Sequence, residues 1–131
     1  MANRHFRQFQ FGLEPMPVRL PITLTLTGAN GAQTVTRGKG IVSAVQSGTG
    51  LITITLSDKY VGLLGMNFAS QPATYSSTLS CTDLVLTSAT SVGAATPVVV
   101  VQMLQANGST VAAQSTDKLY IELVLNNSTA L

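Results

Sequence analysis

The sequence predicts an all-β fold: an antiparallel β-sandwich of about eight strands behind an extended N-terminal arm. Three observations predict it. Short runs alternate apolar and polar residues with period two, as over 18–26 and 119–125. Gly-, Asn- and Ser-rich turn signals separate these runs at sandwich or barrel spacing. No stretch shows the spacing of a convincing helix. The pattern leaves jelly-roll and immunoglobulin-like topologies open. It divides the chain into an arm, 1–16, and one sandwich domain, 17–131.

The 131 residues suffice for one domain with one core. Hydrophobic residues make up 45% and mean hydropathy is +0.35, yet the apolar run 98–101 stops at Gln102. That is far short of the roughly 20 apolar residues a spanning helix needs, so no membrane partner is expected. The first fifteen residues contain basic groups but no continuous apolar stretch, so no secretion signal is read there. Charged residues are only 9%, against about 25% in ordinary soluble domains. Such a surface repels its neighbours weakly, which favours a chain that works inside an assembly.

The arm holds Phe6, Phe9 and Phe11 with Arg4, His5 and Arg7, and closes on Pro15 and Pro17. Alternation at 9–13 marks an extended segment with one sticky side. It reads either as a first strand of the sheet or as an arm docking on a neighbour. The next strand carries Val18, Leu20, Ile22, Leu24 and Leu26 on one face. Pro21 lacks an N–H, so this strand is an edge or is interrupted there. Residues 28–31, ending in Asn30-Gly31, form a turn, and 34–36 the return strand. Residues 37–40 are a flexible break.

Two β-rich runs, 41–46 and 51–56, form a hairpin through 47–50. The stretch 51–68 reads as strand, charged corner and strand, with the corner at Asp58, Lys59 and Tyr60. Gly62 and Gly65 imply a bulge or close backbone approach in its second half. Residues 79–87 are read as a strand containing Cys81, most simply a small core residue that cannot form an internal disulfide. Residues 98–105 are apolar on both faces at first, as in a central strand. A polar loop over 106–117 leads to the last strand. There Leu119, Ile121, Leu123 and Leu125 form the buried face, and Tyr120, Glu122 and Val124 point the other way.

No catalytic, cofactor or metal site is legible. His5 is the one histidine, and acyl transfer needs a base beside a nucleophile and an orienting group. Asp58, Asp83 and Asp117 fall at strand ends, where Asp is a common turn residue. One Cys and one His cannot close a zinc site. Arg37-Gly38-Lys39-Gly40 lacks the spacing of a phosphate loop. Five of the seven basic residues (Arg4, Arg7, Arg19, Arg37, Lys39) precede position 40, a bias towards an acidic partner. Their spread does not match a nucleic-acid footprint. The corner Asp58-Lys59-Tyr60 reads first as a salt-bridged bend with Tyr60 packed over the sheet, and second as a subunit contact.

The opening MANRHFRQFQF, the central ITLSDKYVGLLG and the closing LYIELVLNNSTAL together resemble small virion proteins of tailed phages, of the capsid decoration (cement) type. The resemblance implies a non-enzymatic β-domain without a cofactor, placed as a homotrimer on the outer surface of the phage head. Its partners would be the major capsid protein and other copies of itself, and it would stabilise the shell by bridging capsomers. Candidate contacts are Arg4, Phe6, Arg7, Phe9 and Phe11 in the arm and Asp58, Lys59 and Tyr60 at the corner. The alternative is a tail, baseplate or head-fibre component contacting the host surface.

Overall fold

A computed structural model describes residues 17–89 and 92–126. These form strands β1 (Val18–Thr25), β2 (Gly31–Ala32), β3 (Thr34–Arg37), β4 (Ile41–Gly48), β5 (Leu51–Leu56), β6 (Gly62–Gln71), β7 (Asp83–Ser88), β8 (Val98–Leu104) and β9 (Lys118–Asn126). All pairings are antiparallel, in a four-stranded sheet ordered β3-β1-β9-β6 and a five-stranded sheet ordered β2-β4-β5-β8-β7. The fold is the expected β-sandwich. No helix occurs among the described residues.

Alternation builds the core. Leu20, Ile22 and Leu24 of β1 and Leu119, Ile121, Leu123 and Leu125 of β9 turn inward from one sheet. Ile52, Ile54 and Leu56 of β5 and Val99, Val101 and Met103 of β8 come from the other. Because side chains alternate, a one-residue slip in any ladder would expose a whole inward set, so the hydrophobic pattern fixes register.

The stretch 51–68 joins the two layers. Its strands are not a hairpin, since β5 lies in one sheet and β6 in the other. The chain crosses at the corner, where Tyr60 N–H donates to the Val92 carbonyl and Val61 N–H to the Asn126 carbonyl. Register slips between Leu63 and Gly65, so the bulge expected from the glycines is present, with Leu64 as the inserted residue.

The segment after β1 also departs from the simple expectation. Residues 28–31 do not close a tight Asn-Gly hairpin. Instead β2 leaves the first sheet and pairs with Val45 and Gln46 of β4, before β3 returns to β1. Two glutamines make this excursion possible. Gln33 Oε1 accepts from Thr27 N–H, and its Nε2 donates to the Ala29 and Gly31 carbonyls. Gln46 Nε2 donates to Asn30 Oδ1, while its Oε1 accepts from Ala113 N–H. Both side chains are buried with their polar atoms satisfied, as buried amides require.

Strand β7 starts at Asp83, later than the pattern implied, so Cys81 sits in the loop before it. The thiol is still buried and donates to the Asp83 carbonyl. Burial pushes its pKa up to about 11, because the thiolate would lose its hydration.

Candidate interaction surfaces

The candidate contacts fall in three places. Arg4, Phe6, Arg7, Phe9 and Phe11 lie outside the described residues. Asp58 and Lys59 are exposed, and among the described residues no ion pair joins them. Tyr60 faces inward, 8% exposed, as part of the core. Its hydroxyl pKa is raised, first by burial and then by the charge on Asp58. The corner therefore offers Asp58 and Lys59 to solvent and keeps its ring for packing.

The two outer faces of the sandwich differ in chemistry. On the five-stranded sheet the outward positions are Ser43 and Val45, then Leu51, Thr53 and Thr55, then Val98, Val100, Gln102 and Leu104, with Val85 on β7. The register sets Val45 beside Thr53 and Thr53 beside Val100. Strands β2, β4, β5 and β8 contain no charged residue, and β7 contributes only Asp83 at its first position. A solvated antiparallel face ordinarily presents polar residues outward. Here half-buried aliphatics alternate with hydroxyls. At about 4.8 Å between strands and about 3.4 Å per residue, the part spanned by β4, β5, β8 and β7 covers roughly 400 Å². That footprint, which includes the hydroxyls of Ser43, Thr53 and Thr55, falls within the roughly 300–600 Å² of the largest patch on an ordinary monomer. The run 98–101, read from sequence as a central strand, supplies Val98 and Val100 to this face.

The four-stranded sheet carries charge instead. Its register places Arg37, Thr23, Tyr120 and Ala69 in one row across the four strands, and Pro21, Glu122 and Asn67 in the next. Arg19 and Lys118 lie further along the same face. Glu122 accepts from Arg19 at 3.0 Å and from Asn67 Nδ2 at 3.2 Å, and Tyr120 donates its hydroxyl proton to Gln71 Oε1 at 2.7 Å. A shallow depression of about 340 Å³ runs over these rows. Arg37, Lys118 and Tyr120 were not singled out as contacts from sequence, because only the ladders bring them to one face.

A second depression, about 300 Å³, lies between residues 73–80 and 114–117. Its polar groups are used internally. Asp117 Oδ1 accepts from Ala73 N–H, and Ser80 Oγ accepts from Ser76 N–H. Among the described residues no group of three or more His, Cys, Asp or Glu could hold a metal ion. No described helix is long and apolar enough to cross a membrane. Comparison with known families, curated proteins and solved structures finds no match to this chain.

Proposed function

We propose that this chain is a non-enzymatic virion structural protein, a capsid decoration or cement protein that binds the outside of a phage head and bridges capsomers. The observation that carries this reading is the Val- and Thr-lined outer face of the five-stranded sheet, which carries no charge over β4, β5 and β8. Such a face can be buried against another protein without desolvating a charge, a step that would cost several kcal/mol per ion. Its area of roughly 400 Å² is about half of what one partner contributes to a standard stable interface, about 800 Å². The aromatic, basic arm is the natural source of the remainder. A ligand that binds only the assembled shell stabilises it by mass action, and several modest contacts per oligomer combine through multivalency.

The test is a charge placed in the middle of that face. Val100→Lys should leave the fold intact, because the side chain points away from the core. It should sharply reduce occupancy on purified heads. A variant that is folded and decorates heads at full occupancy would remove the basis of the proposal. Copy number separates this reading from a tail, baseplate or head-fibre role: hundreds per particle mark the shell, a handful the tail.

A further inference from the structure

Pairing in the four-stranded sheet has a gap. Strand β1 is paired to β9 from Val18↔Leu125 to Thr25↔Lys118, but β3 meets it only at Thr23, Leu24 and Thr25. Residues 18–22 therefore have no strand on their other side among the described residues. An open edge of this kind is a template for another extended chain. Beside it lies a trough of about 350 Å³ lined by Arg19, Leu20, Pro21, Arg37 and Lys39. The trough shares Pro21 and Arg37 with the depression over β1, β9 and β6, so the two run together. Arg19 is engaged by Glu122. Arg37 and Lys39 have no ion-pair partner among the described residues.

We infer that this edge and trough take a short, extended, acidic segment of a partner polypeptide, added as a strand beside residues 18–22 with its carboxylates on Arg37 and Lys39. The open edge spans about five residues, or roughly 17 Å of strand. Pro21 removes one N–H from it, so main-chain pairing alone is short. Proline and charge on an edge also guard against indiscriminate pairing, which leaves entry conditional on the incoming sign. The chain's own arm carries Arg4 and Arg7 against Glu14, the wrong sign for this trough. A nucleic acid fits less well. Glu122 lines the adjoining depression, and Tyr120 is its one exposed ring, whereas nucleic-acid grooves combine sustained positive charge with several stacking surfaces. The inference does not rest on the capsid reading, since any protein displaying such a segment qualifies.

Fluorescein-labelled octapeptides provide the test on the full chain: alternating Glu and Thr, alternating Lys and Thr, and the Glu/Thr peptide N-methylated at every second residue. A thymidine oligonucleotide serves as the nucleic-acid probe. The Glu/Thr peptide should bind by anisotropy and slow hydrogen exchange of amides within 18–22. The Arg37→Glu, Lys39→Glu double variant, changed at two exposed positions, should weaken it at least about tenfold, and N-methylation should do likewise. Equal binding of the Lys/Thr or the N-methylated peptide would overturn the inference, as would tighter binding of the oligonucleotide through the same cations. So would protection, in the free chain, of the amides in 18–22 that do not bond to β9, because a segment of the chain itself would then hold the edge.

Discussion

Replacing Gln46 tests the clasp by which β4 holds two connections between strands, at Asn30 and at Ala113. Its side chain is 3% exposed, and it accepts from the N–H of Ala113, itself 2% exposed, at 2.9 Å. Gln46→Met keeps the length and the apolar stem but removes both hydrogen bonds. Asn30 is exposed and regains water, so its loss contributes little. The Ala113 N–H is left buried without its acceptor, at a cost of about 1–3 kcal/mol. Gln46→Ala also deletes a buried methylene, at about 0.8 kcal/mol, for a total of roughly 2–4 kcal/mol. Urea denaturation followed by circular dichroism should give the order wild type, Met, Ala, with an unchanged m-value. If the Met variant lies within about 0.3 kcal/mol of wild type, water or a shifted backbone satisfies Ala113 and the clasp contributes nothing.

Other consequences follow from single groups. The Cys81 thiol should resist thiol reagents in the folded chain, because burial holds it protonated up to about pH 11. Between the ordinary thiol value of 9.0 and about 11 the unfolded chain loses this proton and the folded chain keeps it. Stability should therefore fall with rising pH across that window, by at most about 3 kcal/mol. The raised Tyr60 works in the same direction, so the slope is read as the difference from Cys81→Ala. Gly50 has φ +70, and a Cβ there would run into the Val111 carbonyl oxygen. Gly50→Ala should cost well over the roughly 1–2 kcal/mol of left-handed strain alone. Gly108→Ala, at φ +86 with open space around it, should show only that strain in the same urea denaturation.

Shell attachment and acidic-segment binding would use separate faces of the sandwich. A Val100→Lys chain that no longer decorates heads but still binds the Glu/Thr peptide would place shell attachment on the five-stranded sheet and leave the acidic-segment site intact. The converse, loss of peptide binding with full decoration in the Arg37→Glu, Lys39→Glu variant, would assign the edge to a different partner.

The sequence by itself determined most of the strands, though not the short β2 or the start of β7. Leu119, Ile121, Leu123 and Leu125 alternate, and the structure buries all four, because a pleated chain sends successive side chains to opposite faces. It also determined where the chain bends: Gly50 closes a hairpin at positive φ, and the pair Gly62 and Gly65 flanks a bulge. Alternation says inward or outward, however, and not into which sheet. Strand partners are chosen by long-range packing and ladder bonds that no local pattern encodes. Only the tertiary structure therefore sent β5 and β6 to different layers through the Asp58-Lys59-Tyr60 corner, and decided between the two readings of Tyr60 in favour of packing. The same step decided the surface. Arg19 and Glu122 are 103 residues apart in sequence and meet at 3.0 Å. Arg37 and Lys118 join them on one face, while β4, β5 and β8 gather a second face with no charge on it.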